Sequence, residues 1–199
     1  KDINGKNPAF FTQITVSQVE NGEWLPVNNS DLSETIKYLK FLERSGAFKH
    51  TIWPEHCIAG TDDVKIVSIL RDALFQWSNK TGISFHTHIK GMNRMSEHYG
   101  IFQAEAEDAP FNHRLIHSLF SENSEVFVAG EAKSHCVATS LKQILEHYPQ
   151  HVPQITLISD ATSNVGGFEH VADSIYDALE KAGMKTITTE ELEKEEVHA

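Results

Sequence analysis

The sequence predicts an α/β protein: a three-layer, doubly wound sheet, mainly parallel, with helices on both faces. Three observations predict it. Short apolar runs rich in Val, Ile and Phe alternate with longer segments whose apolar residues recur at helical spacing. Turn-forming residues separate the two kinds of segment, and no repeat or low-complexity linker interrupts them. Strands that alternate with helices form βαβ units, and these build parallel sheets. At 199 residues the chain has the length of one domain and can bury a sizeable core.

The elements follow in order. Residues 1–30 are irregular, punctuated by Pro8, Gly22 and Pro26, with room for one short strand or hairpin near Phe10 to Val16. Asp31 and Glu34 resemble a capping box, heading a helix that carries Leu32, Ile36, Leu39 and Leu42 and stops at Gly46. His50 to Trp53 reads as a strand and 54–61 as its loop. Asp62 or Asp63 is expected to cap the next helix, with Val64, Val67, Leu70, Leu74 and Trp77 turned inward and Gly82 after its end. Ile83 to Ile89 alternates as a strand does, and Gly91 to Pro110 is a long connection of the kind that often carries function. Asn112 to Ser121 is helical through Leu115, Ile116, Leu119 and Phe120. Glu125 to Ala129 reads as a buried strand, 130–134 as a turn of mostly small residues, and the stretch from His135 or Cys136 to about His147 as a helix. A strand at Ile155 to Ser159, a helix from Phe168 to Ala182 and a strand at Met184 to Thr188 follow. The end, 189–199, is an acidic tail expected to be solvated and frayed.

Composition removes several function classes. A formal net charge of -11, with 17 scattered Lys and Arg, argues against nucleic acid, whose binding needs clustered cations against phosphates. No run approaches the roughly 20 apolar residues of a membrane-spanning helix. The opening KDINGKNPAFF lacks the apolar core of a signal peptide and has no initiator Met. Cys57 and Cys136 form no CxxC motif or disulfide framework, which suggests a reducing, cytoplasmic setting.

Ligands of parallel sheets bind beyond the carboxyl ends of the strands. The loops to read are therefore 54–61, 90–98, 130–136 and 160–167. Cys136 follows a strand and a tight turn at the start of a helix, where unpaired N–H groups and the dipole stabilise a thiolate. Such a cysteine has the parts for acyl transfer. Taken alone, the stretch fits an ordinary buried cysteine equally well. Lys90 ends a buried strand, where it could assist a thiol or simply reach for solvent. His56, in a Pro-containing turn, fits a metal ligand, a substrate donor or a structural histidine, and no Asp-x-His motif accompanies it.

Taken together, three motifs resemble the nicotinamidase and isochorismatase-like cysteine hydrolases, a family with a Rossmann-like sheet. They are Trp53-Pro54-Glu55-His56-Cys57 followed by Gly60-Thr61, Lys90-Gly91, and Ala129 through Val137. The resemblance runs from about Phe10 to Thr188 and is specific through the order and spacing of all three. It implies a Cys-Lys-Asp triad with Cys136 as nucleophile toward an amide carbonyl and Lys90 beside it. It implies an oxyanion hole from the backbone N–H groups of Ala132 and Cys136, with a cis peptide between Glu131 and Ala132. It gives Trp53 and His135 to substrate binding and His56 to a divalent metal, zinc or similar. Cys136 favours amide chemistry over the vinyl-ether hydrolysis of true isochorismatases, which resemble this pattern with Gly at that position. Glu131, Lys133 and Ser134, and the loop Asn93 to His98, depart from the commoner family pattern and bear on the pocket.

The triad aspartate and the remaining metal ligands, which the family carries near its first strands, match nothing in the sequence. The expectation is one hydrolase domain over 1–199 without its N-terminal strands, with Lys1 not the native start and an upstream fragment as a partner. The implied function is thioester-based hydrolysis of a small carboxamide by a homo-oligomer. The alternatives are a binding protein that kept the fold without the chemistry and, third, an isochorismate-type ether hydrolase.

Overall fold

The structure is a computed structural model that describes residues 1–46, 48–122 and 124–197. The chain forms two compact units, Lys1–Ile89 and Lys90–Ala199.

In the first unit, Val16–Glu20 (α1) is headed by a true capping box: the Gln18 N–H donates to Thr15 Oγ1 at 3.3 Å, and the Thr15 N–H donates to Gln18 Oε1 at 3.0 Å. The box expected at Asp31 and Glu34 is not formed. Asp31 precedes Leu32–Ser45 (α2) without a side-chain cap, and the Thr35 hydroxyl donates to its carbonyl instead. Gly46, at φ 66°, closes the helix in the left-handed conformation that a residue without Cβ adopts at low cost. Ile14, Val16, Val19, Tyr38, Leu39 and Leu42 pack between these helices.

The strand expected at His50 to Trp53 is reduced to one antiparallel bridge, Gln13 to Thr51, flanked by hydrogen bonds from Ile14 N–H to His50 and from Ile52 N–H to Thr12. Ser68–Thr81 (α3) begins later than expected, because Thr61 rather than Asp62 or Asp63 caps a separate 3-10 turn over Asp62–Val64. Its apolar stripe is not inward: Val67, Leu70 and Trp77 are 65%, 52% and 43% exposed, and Val64 is exposed too. An apolar stripe is buried only where another surface meets it. Ile83 to Ile89, whose alternation suits a strand, pairs with no strand among the described residues, and Phe85 packs back on the helix edge-on to Phe75 at 5.3 Å.

The second unit carries the sheet. Val126–Glu131 (β1), Ile155–Ser163 (β2) and Lys185–Ile187 (β3) are parallel in the order β1-β2-β3. Val126 faces Ile155 and Val128 faces Leu157, after which the register breaks and Gly130 faces Thr162. β2 therefore runs four residues past the strand end expected at Ser159, and its far end braces the turn after β1. Around the sheet lie His113–Leu119 (α4), Ala138–His147 (α5) and Asp173–Lys181 (α6). Asn112 caps α4 through the Leu115 N–H at 3.1 Å. Ile116, Leu141, Val152, Ile155, Leu157 and Leu179 form the center of one core, each at most 1% exposed. Of the acidic end, Thr189–Val197 (α7) is helical and is tied to β2 where Thr189 donates to the Asp160 carboxylate through N–H at 2.8 Å and Oγ1 at 2.6 Å, and residues 198 and 199 lie outside the described residues. Among the described residues no helix is long and apolar enough to cross a membrane.

Candidate active site

Residues Lys133–Val137 form one π-helical turn between β1 and α5, so Cys136 stands inside a wide turn and not in the first turn of the α-helix. The peptide bond between Glu131 and Ala132 is cis. The Ala132 carbonyl accepts the N–H groups of His135 and Val137, both at 3.1 Å, which closes the turn. Ser134, fully buried, accepts the Val165 N–H at 3.0 Å and contacts His135 Nδ1 at 2.9 Å. Thr162 Oγ1 donates to the Gly130 carbonyl, and Ser163 Oγ donates to both oxygens of the Glu131 carboxylate. The Tyr176 hydroxyl of α6 donates to the Lys133 carbonyl at 2.9 Å; burial raises its pKa, so it stays a donor. The cysteine turn is thus held from beneath by the far end of β2 and from the side by α6.

Lys90 meets this turn. Its ammonium donates to Cys136 Sγ at 3.4 Å and to the His98 carbonyl at 2.6 Å. Both side chains line a cleft of about 370 Å³ whose other walls include Phe102, Phe120, Val128 and Leu141. An ammonium on an apolar wall is costly unless paired, and here its partners are the sulfur and the His98 carbonyl.

The lysine side of the cleft is built from a loop that carries no strong sequence signal. His98 Nδ1 accepts the Gly91 N–H at 3.1 Å, and burial together with the Lys90 charge lowers its pKa, so this imidazole is neutral. The Ile101 N–H donates to Ser140 Oγ at 3.0 Å, and that hydroxyl donates to the carbonyl of Cys136 itself at 2.7 Å. Gln143 accepts the Phe102 N–H at 3.2 Å and donates to the Gln103 carbonyl at 2.8 Å. Gly100 is needed here for space: a Cβ would lie 2.2 Å from Gln143 Oε1. Ser140 and Gln143, one turn and two turns along the helix from Cys136, were predicted only as helix positions. Their i+4 and i+7 spacing from the cysteine is the one signal that could have picked them out.

His135 is 5% exposed, its ring lying against Tyr99 and Phe168; it is not among the residues lining the cleft. Burial lowers its pKa. A lowered histidine contributes stability that is present above its unfolded value, near 6.5, and is lost as pH falls through the folded value. Urea midpoints taken from pH 7.5 to pH 5 are expected to fall less steeply for His135→Asn than for the unsubstituted chain.

Trp53 and His56 lie in the 1–89 unit. Trp53 packs edge-on against Phe11 with ring centers 5.8 Å apart. The exposed His56 donates from Nδ1 to the Pro54 carbonyl at 2.6 Å, which leaves Nε2 for any ligand. Among the described residues no group of three His, Cys, Asp or Glu side chains could hold a metal ion. One imidazole nitrogen does not make a zinc site, which takes at least three protein ligands. The described residues by themselves do not fit a bound metal, and no chemical step is derived through one.

No family model and no curated protein matches the chain. Solved structures do. A yeast nicotinamidase bound to the inhibitor nicotinaldehyde superposes with a TM-score of 0.50 at 19% identity, covering 71% of this chain and 61% of that one. A second structure of the yeast nicotinamidase gives 0.48 at 20% identity, over 72% and 63% of the two chains. The pyrazinamidase of Pyrococcus horikoshii in complex with zinc gives 0.42 at 17% identity, over 73% and 66%. The chain spans less than two thirds of the length of each of these proteins. At this identity the likeness establishes the fold.

Proposed function

We propose that this chain, which has the isochorismatase-like α/β fold of the nicotinamidases, is a cysteine hydrolase of a small carboxamide. The observation that carries the reading is the Lys90 ammonium 3.4 Å from the Cys136 sulfur on the wall of one apolar cleft. A planar amide with an apolar body suits that cleft, and the paired thiolate and ammonium suit its carbonyl and leaving nitrogen.

The steps balance with these two groups and water. The thiolate adds to the carbonyl carbon, and the π electrons move to oxygen. The N–H groups of Ala132 and Cys136 are the proposed donors to that oxyanion. The carbonyl re-forms as the C–N bond breaks, and Lys90 gives the nitrogen the proton with which it leaves as ammonia. The resulting thioester is attacked by water, from which the now neutral Lys90 takes a proton. Breaking of the C–S bond releases the carboxylic acid and restores the thiolate and ammonium.

The test is ammonia release from a panel of aromatic and aliphatic carboxamides, with intact-mass detection of the acyl adduct on Cys136. At least one substrate is expected to give both signals. A folded protein that gives neither with any member, while still binding some of them, is instead a binding protein of this fold.

A further inference from the structure

The Lys90 ammonium is held from outside its own segment of chain. Its second contact is the carbonyl of His98, eight residues on, in a loop without regular structure. That carbonyl is useful only if the turn from His98 to Gly100 cannot rotate away. The group that stops it is Glu105. Its Oε2 accepts the Tyr99 N–H at 2.8 Å, and the carboxylate also interacts with the Gly100 N–H and with its own. The Glu105 N–H in turn donates to the Glu97 carbonyl at 3.0 Å, which closes the loop on itself. The peptide unit whose N–H Glu105 binds is the one whose carbonyl, that of His98, receives the Lys90 ammonium. The two bonds fall on opposite ends of a single planar amide, so fixing one end aims the other.

The carboxylate is half-buried, and burial raises its pKa against the opposing pull of these N–H donors and of Lys90. Charge-assisted hydrogen bonds donated by backbone N–H groups to a carboxylate are among the strong ones, and losing the acceptor leaves the donors unpaired. The negative charge also faces the ammonium across the turn, and Lys90 acts on it electrostatically.

We propose that Glu105 is a positioning residue of the Lys90–Cys136 pair: by clamping the Tyr99 N–H it fixes the His98 carbonyl that holds the ammonium against the sulfur. The inference rests on the cysteine-hydrolase reading for its purpose, but not for its test. In a Cys57→Ser background, which removes the exposed second thiol, the rate of Cys136 alkylation by iodoacetamide is followed by intact mass at pH 7. Glu105→Ala is expected to slow alkylation about tenfold, and Glu105→Gln, which keeps one acceptor, by about threefold. In a Lys90→Met background neither substitution is expected to slow it further, since the two residues act through one contact. Equal slowing with and without Lys90, or no slowing by Glu105→Ala in a folded protein, overturns the proposal. If the alkylation pattern holds while no carboxamide is hydrolysed, the functional reading fails and the positioning role stands.

Discussion

Cys136→Ala is expected to remove ammonia release on every carboxamide that the unsubstituted chain hydrolyses, lowering kcat by about 10⁴-fold or more. The size follows from the chemistry. Without sulfur there is no thioester, and water must attack the amide directly, with only binding and oxyanion donors left to help. Cys136→Ser separates two causes of loss. A hydroxyl fills the same space and accepts from Lys90, yet it is a far weaker nucleophile at neutral pH. Activity near that of the unsubstituted chain in either variant rules out Cys136 as nucleophile. Melting temperatures of all three proteins should agree within a few degrees, because the thiol makes no core contact on which the fold depends. Lys90→Met is expected to cost less than the cysteine change but to act on both kcat and thiol alkylation, since the ammonium serves the sulfur in both reactions.

The largest effect on stability is expected at Leu141→Ala. Leu141 is 1% exposed, lies in the core around Ile116 and Leu157, and lines the cleft beside Cys136. Removing a buried leucine side chain costs about 3 kcal/mol through lost transfer energy and the cavity left behind. Urea unfolding of the chain should show it as a lower midpoint with an unchanged slope. Here the cavity joins the cleft, so a bulkier apolar amide is expected to lose less of its kcat/KM than a small one. A midpoint unchanged within error would mean that α5 does not pack on the sheet as described.

Much of the fold was legible in the sequence. The runs Val126–Ala129 and Ile155–Ser159 are strands because β-branched and aromatic residues suit a pleated, buried surface, and the helix stripes around Leu39, Leu141 and Leu179 are buried on the faces their spacing sets. The stripe of α3 shows the limit. Its periodicity specifies a helix, and the helix forms, but periodicity says which residues share a face and not whether anything covers it. The same holds for His50 to Trp53 and Ile83 to Ile89: alternation can mark a strand, while pairing needs a neighbour whose position is not local information.

The site divides in the same way. Lys90, Cys136, Glu131 and Ala132 could be named because three motifs, in their order along the chain, resemble those of a known family. Glu105, Ser140 and Gln143 could not, because each works through a backbone group whose place depends on how the 97–105 loop folds. By itself the sequence determined that an α/β sheet forms and that a cysteine turn follows one of its strands, since periodicity and turn chemistry act over a few neighbouring residues. Only the tertiary structure decided that the turn is π-helical, that β2 runs on to brace it, and that a peptide bond eight residues from Lys90 aims the ammonium at the sulfur. The brace from β2 and the contact of Lys90 with Cys136 span tens of residues, and their geometry is set by packing density and the pairing of backbone polar groups rather than by any local preference.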